Sequence, residues 1–513
     1  MIIESIRPAL AVSIPLFSAL LILFFGNKIS PIHRESITII ASIIVAAIVF
    51  SMVAEVKDGN EYVTILWNIV DGISLKLKTD AAGMVFACIA SGLWILTSIY
   101  SIGYVRGHNE NNQTGYFAAF ATCIGSALGI ALAANLLTFF IFYEMLTLAT
   151  YPLVAHYRDQ KARFSGRKYL AYTLISGQLF FAAIVWVYAN YGTTEFLAGG
   201  FIEVGSMSKN LMCILFFMML VGGAVKAGVM PLHGWLPSAM VAPTPVSALL
   251  HAVAVVKAGA FCVLRVVCYV FGPKAALWCG GAEILSWFAI ATIILSSLVA
   301  IRQDNLKARL AFSTVGQLSY IILGISILSV YSLTGAIYHI VAHAFLKITL
   351  FMAAGAIFVH THLSEISTMK GLVKRMPITC TAFGVASLGI AGLPLMAGFV
   401  SKFNIIEGAF LNSKPIGIAV LVAAALLALT YLIPVVQIFF GKGLSKKSHN
   451  LQLDSHCHSE ALDASWAMVI PLTVTLVISI ILGIEPNAGL NLYDLAIKSA
   501  ESITGEGGIF LAG

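Results

Sequence analysis

Of 513 residues, 59% are hydrophobic and only 10% are charged, and the mean hydropathy is +0.94. A soluble domain of this length carries about a quarter charged residues, so the composition excludes a water-soluble fold. It defines an all-α polytopic membrane protein. The net charge of +7 is the basic excess that cytoplasmic loops carry, and nucleic-acid binding drops out with it.

In chain order, the N-terminal MIIESIRPAL leads into a first apolar span, without a basic leader or a small-residue cleavage site. A membrane crossing needs about 20 apolar residues. About fourteen such spans follow, centred near residues 17, 45, 91, 124, 145, 180, 225, 256, 290, 318, 346, 395, 428 and 474. Ala133-Ala134-Asn135 is the short joint between the spans near 124 and 145. Lys and Arg fall 17 to 6 in favour of the loops that follow odd-numbered spans, from Lys28 to Lys447. That asymmetry predicts a multi-pass protein of the bacterial or archaeal cell membrane with both termini on the outer side. The basic run Arg158 to Lys168 reads as a solvated loop.

Glu144, in LLTFFIFYEMLTLATYPL, is the one acid in the interior of the first half's spans. Lys226 (VGGAVKAGVMPLHGWLP) and Lys257 (LLHAVAVVKAGAF) stand in apolar helices. An intramembrane amine costs several kcal/mol, which makes each a functional residue by default. A carboxylate near a lysine offsets that cost, so a change in the Glu144–Lys226 distance would load or release a proton. His251 lies about 120° round the helix from Lys257, and water would have to bridge them.

In IYHIVAHAFLKITLF, His339, His343 and Lys347 recur every four residues. They drift only about 80° over roughly 12 Å of helix, so three protonatable groups form one stripe suited to a proton relay. Lys402, in LPLMAGFVSKFNIIEGAF, follows another proline-broken span. AGVMPLHGWL, around Pro231, and AGLPLMAGFV, around Pro394, are the one internal repeat. Five spans separate them, so the second copy enters the membrane from the opposite side, as in inverted-repeat transporters with discontinuous helices. Proline removes a backbone donor and frees carbonyls at membrane depth.

No GxxxxGK[ST] loop and no GxGxxG after a strand are present, so neither a P-loop nucleotide nor a Rossmann dinucleotide is expected. The eight cysteines are scattered without metal-site spacing. His449, His456, Cys457 and His458 share one loop, but near-adjacent residues make a poor tetrahedral cage. No metal and no cofactor are expected, and Cys457→Ser should change little.

The FYEMLTLATYPL glutamate, VKAGVMPLHGWLPSAMVAPTPVSALLHAVAVVKAG, DNLKARLAFSTVGQLSY, HIVAHAFLKITLF and GLPLMAGFVSKF together resemble the antiporter-like subunits shared by respiratory complex I, membrane-bound hydrogenases and Mrp-type sodium/proton antiporters. The resemblance is strong over residues 75–440 and looks closest to the Mrp D-type subunit. It implies fourteen helices with two inverted five-helix repeats and broken helices 7 and 12. The implied division is helices 1–3 in 1–110, a first repeat in 111–272, a second in 273–441, and a basic, His-containing loop, helix 14 and tail in 442–513. It also implies roles. Protons enter from the cytoplasm, pass from Lys226, paired with Glu144, to Lys257, follow His339, His343 and Lys347, and leave through Lys402. Partners would be other integral membrane subunits of an antiporter or respiratory complex. Sodium is a possible co-ion, for which the sequence shows no site. The competing expectations are a redox-driven pump subunit, a non-conducting scaffold subunit and a single-chain solute carrier.

Overall fold

The computed structural model describes residues 1–70, 73–108, 110–442 and 463–505; the His449–His458 cluster lies outside them. The first third consists of α1 (Arg7–Phe25), α2 (Pro31–Phe50), the short α3 (Val53–Lys57), α4 (Ala81–Gly107), α5 (Gln113–Ala131), α6 (Leu136–Val154) and α7 (Gln160–Tyr191). The middle contains α8 (Lys209–Ala227), the short α9 (Trp235–Ser238), α10 (Thr244–Ala248), α11 (Val255–Arg265), α12 (Gly272–Trp278), α13 (Gly281–Ile301) and α14 (Leu306–Ile327). The rest comprises α15 (Val330–Thr361), α16 (Pro377–Ala391), α17 (Ala397–Leu411), α18 (Pro415–Phe439), α19 (Trp466–Ile484) and α20 (Leu492–Thr504).

Thirteen helical stretches among the described residues are long and apolar enough to cross a membrane. The crossing expected near residue 395 is split into α16 and α17, 15 residues each. Polar caps set many of the boundaries, because a side-chain oxygen satisfies an amide the first turn leaves free. Asp80 accepts from Gly83 N at 2.7 Å, Asn135 from Thr138 N at 2.8 Å and Asn305 from Ala308 N at 3.0 Å. Asp159 caps α7 through Ala162 N at 2.6 Å. Lys161, Arg163, Arg167 and Lys168 therefore occupy the first turns of a helix, not the solvated loop that their charge suggested.

The two helix interruptions are made by glycine. α8 ends at Gly228 (φ 74°) and α16 at Gly392 (φ 97°), left-handed positions that only glycine occupies without strain. Pro231 and Pro394 come two or three residues later, in the connecting turns, and not inside the helices as anticipated. The span around Lys257 is also irregular: Leu249–Val253 and Val266–Phe271 are π-helical turns. A single sequence pattern of buried apolar residues does not distinguish 3.6 from 4.4 residues per turn.

An interval of 170 residues recurs in the fold. α7 and α15, each 32 residues, begin at 160 and 330, and the isolated bridge Asn135–Glu195 has its counterpart in Asn305–Glu365. α15 forms the centre of the bundle, packed against α4, α10, α14, α16, α17, α19 and α20.

Two elements were not anticipated. A three-stranded sheet joins β1 (Ile2–Glu4), parallel to β2 (Glu61–Val70), with β3 (Ile73–Lys78) antiparallel to β2. The terminal segment forms α20, tied down by an ion pair from Lys57 to Asp494 at 2.8 Å.

Candidate functional site

Lys226, His251, Lys257, His343 and Lys347 are 0% exposed, His339 1% and Lys402 5%. A buried amine is tolerable only when hydrogen-bonded, and each of these lysines finds acceptors. Lys226 Nζ donates to Tyr143 O at 2.6 Å and lies 3.2 Å from the centre of the Tyr143 ring. Tyr143 is itself held by its hydroxyl, which donates to Gly222 O at 2.7 Å. Lys226 thus bridges α8 to α6.

Glu144 is the next residue, yet it does not join this contact. Both carboxylate oxygens are buried without a hydrogen-bonding partner among the described residues, and they pack on Gly177 of α7. Successive helical residues point about 100° apart, so Tyr143 meets α8 while Glu144 faces α7. The expected Glu144–Lys226 ion pair is not formed in this state.

The central stripe on α15 fans out to three neighbours. His343 Nδ1 meets Lys257 Nζ of α11 at 2.8 Å. His339 Nδ1 meets Ser401 Oγ of α17 at 2.7 Å. Lys347 Nζ turns to α14, donating to Ser313 Oγ at 2.7 Å and Leu310 O at 3.2 Å, and Ser313 continues to the Tyr431 hydroxyl at 2.9 Å. The His339 and His343 rings are 6.0 Å apart, and His339 stacks on Tyr320 at 5.8 Å.

Lys402 Nζ donates to Ile390 O at 2.5 Å and sits 4.7 Å from the Tyr320 ring centre. Ile390 is in the last turn of α16, where the break at Gly392 leaves carbonyls without intrahelical donors. In α8 the Trp235 indole does the equivalent work, donating to Val225 O at 2.7 Å. His251 packs against Phe351 at 4.8 Å, and neither ring nitrogen has a protein partner among the described residues. It makes no direct bond to Lys257.

Sequence reasoning missed Tyr143, Ser313, Tyr320, Ser401 and Tyr431. A lone tyrosine or serine in an apolar helix gives no signal until its neighbour is known, although Ser401 stands next to Lys402. It also passed over Arg265, as costly in a span as any lysine. Arg265 is 1% exposed, makes a two-pronged pair with Asp80 at 2.5 and 2.9 Å, and is enclosed by Phe196, Phe261 and Tyr269.

A multi-pass bundle threaded by hydrogen-bonded amines and imidazoles is the build of an antiporter-like membrane subunit. The chain belongs to the NADH:quinone oxidoreductase/Mrp antiporter transmembrane family, whose profile matches residues 133–428. It is 28% identical over 485 residues to NADH-quinone oxidoreductase subunit N of Desulforudis audaxviator, covering 93% of this chain and 95% of that one. It is 30% identical over 423 residues to Na(+)/H(+) antiporter subunit A1 of Staphylococcus aureus, covering 79% of this chain but 52% of the relative; the chain thus spans about half the length of that larger subunit. Its fold is similar to a chain of the Mrp complex from Dietzia sp. (TM-score 0.81, 21% identity, 97% and 98% of the two chains). It is equally similar to a chain of an archaeal respiratory complex, the membrane-bound sulfane sulfur reductase (TM-score 0.81, 22% identity, 97% and 100%).

Proposed function

We propose that this chain is a proton-translocating subunit of a multisubunit membrane assembly of the Mrp antiporter or complex I type, moving protons through Lys226, Lys257, His343, His339 and Lys402. The observation that carries the reading is the Lys257–His343 contact at 2.8 Å, because its hydrogen bonds assign a direction to the string. An ammonium has no acceptor, so charged Lys257 donates to His343 Nδ1 and leaves the proton of neutral His343 on Nε2. Ser401 Oγ donates to Gly398 O at 3.1 Å, so His339 Nδ1 donates to Ser401 and its Nε2 carries the lone pair. A donor Nε2 on His343 and an acceptor Nε2 on His339 are thereby poised on rings 6.0 Å apart. Neither Nε2 has a protein partner among the described residues. One bridging water or a small ring rotation completes the step.

Passing a proton from Lys257 through His343 to His339 places the charge beside Ser401 and Lys402. Like charges this close disfavour each other, which promotes release from Lys402. Glu144, one residue from the backbone carbonyl that holds Lys226, is the counter-charge that a small helix rotation would bring to that amine. The 170-residue interval supports dividing the chain into 111–272 and 273–441 as two five-span repeats, inverted because five is odd. The basic residues support a cytoplasmic face carrying the turns after α4, α6 and α13, with both termini outside.

Lys226→Ala, Lys257→Ala and Lys402→Ala should each leave assembly intact and stop proton movement, read as acidification of vesicles carrying the whole complex. Normal acidification by all three variants would exclude the mechanism. Full-length similarity to a quinone oxidoreductase subunit favours a redox-driven assembly as the second reading. Affinity purification of the tagged chain separates the two: iron–sulfur or quinone-site subunits mean a redox pump, and small hydrophobic subunits alone mean a gradient-driven antiporter. A non-conducting subunit would not need each position of the string filled by a titratable group.

A further inference from the structure

The string described above begins at Lys226 and Lys257, deep in the bundle, and none of its members reaches the surface. On the face that carries the turns after α4 and α6, a separate polar cluster is built around Glu110, which is 8% exposed. Its carboxylate accepts from the Tyr157 hydroxyl at 2.7 Å and meets His108 Nδ1 at 3.0 Å and His156 Nε2 at 3.5 Å. The His108 side chain is 26% exposed and that of His156 only 4%, so the cluster has an outer and an inner imidazole with a carboxylate between them.

The groups around it do not cancel that arrangement. On α4, Arg106 is engaged by Glu35 of α2. On α14, Lys307 donates to Ala242 O at 2.7 Å. Beyond α15, the His362 ring lies 6.0 Å from His108, and Tyr116 of α5 meets His156 edge-on at 5.8 Å. Burial alone would raise the Glu110 carboxyl, but the His156 and Tyr157 hydrogen bonds prevail and hold it below the usual range. The carboxylate therefore stays ionised near neutral pH, between the two imidazoles it touches.

Inward from this cluster, Tyr104 lies against both Tyr157 and Thr244. Thr244, Ser247 and His251 then follow at intervals of three and four residues on one face of the irregular eighth span. All three are 0% exposed, and Thr244 Oγ1, Ser247 Oγ and both His251 ring nitrogens have no protein partner among the described residues. Buried polar groups in native proteins are satisfied by protein or by water. Three unpartnered groups in a row call for bridging water. The row ends six residues short of Lys257.

We propose that Glu110, with His108 and His156, is the proton-collecting site of this face, and that Thr244, Ser247 and His251 conduct from it to the Lys257–His343 pair. The inference rests on the proton-translocating reading. Its substrate is the hydrated proton: His108 takes it from solution, Glu110 stabilises the imidazolium and passes the charge to His156, and each step moves one proton with no other bond made or broken.

The test uses the whole assembly in vesicles with this face outward, comparing wild type, Glu110→Gln, His108→Gln, Thr244→Val and Lys257→Ala as outside pH is raised. Glu110→Gln and His108→Gln should slow transport about tenfold, with the deficit growing as pH rises and free protons become scarce. Imidazole added outside should restore most of the lost rate, which it cannot do for damaged packing. Thr244→Val keeps the side-chain shape and should slow transport without lowering the unfolding temperature. Unchanged rates in Glu110→Gln and His108→Gln, or losses that imidazole does not repair, would overturn the collecting site while leaving the lysine string standing. Normal transport by Lys257→Ala would instead overturn the underlying reading.

Discussion

At the scale of the residue, the least expected arrangement is that of Glu144. A buried carboxylate without partners costs more than a hydrogen-bonded one, so its place against Gly177 is an unsatisfied state awaiting a donor. A Cβ on Gly177 would come 2.9 Å from Glu144 Cδ, too close for ordinary packing. Gly177→Ala should displace the carboxyl and reduce transport as much as Glu144→Gln does, with an overpacking cost of about 1–3 kcal/mol. In a double mutant the two losses should not add, because each acts on the same side chain. Additive losses in vesicle assays would place Gly177 outside the Glu144 function.

At the scale of the element, each interrupted helix couples a glycine turn to a lysine site. The α16 break supplies the carbonyl of Ile390 to Lys402, and a Cβ at Gly392 would lie 3.2 Å from Lys402 Cδ. Gly392→Ala should cost about 1–2 kcal/mol for its left-handed backbone and also disturb transport. Gly59 is the control: its φ is 85°, but a Cβ there meets nothing within 4 Å. Gly59→Ala should share the drop in unfolding temperature and leave transport normal. If both variants transport alike, the break positions nothing.

At the scale of the whole molecule, α15 gathers α11, α14 and α17 onto one axis, and α20 is fastened to a residue far earlier in the chain. Asp494 of α20 is paired with Lys57, 437 positions earlier. The Lys57 hydrogen bond is the main cause that holds the Asp494 carboxyl below its usual range. A depressed carboxyl contributes stability above its unfolded value, about 3.9, and the contribution fades as pH falls through the lowered folded value. The α20 segment should therefore gain protease sensitivity on acidification below about pH 4, and Lys57→Met should bring that sensitivity to neutral pH. Equal protection of both proteins across this range would show that apolar packing alone holds α20.

The span count and the residues Lys226, Lys257, His339, His343, Lys347 and Lys402 were legible in the sequence for one reason. Charge in hydrocarbon is so costly that a titratable residue in an apolar run stands out without any knowledge of its neighbours. Glycine turns at Gly228 and Gly392 were legible only as nearby prolines, since φ is not written in composition. What the tertiary structure alone decided is who meets whom: Lys226 with the Tyr143 carbonyl instead of Glu144, His343 with Lys257, His339 with Ser401. Those contacts join residues from 62 to 86 positions apart, and depend on helix rotation and π turns. A one-residue change of phase swings a side chain by about 100°, and only the packed neighbours determine that phase.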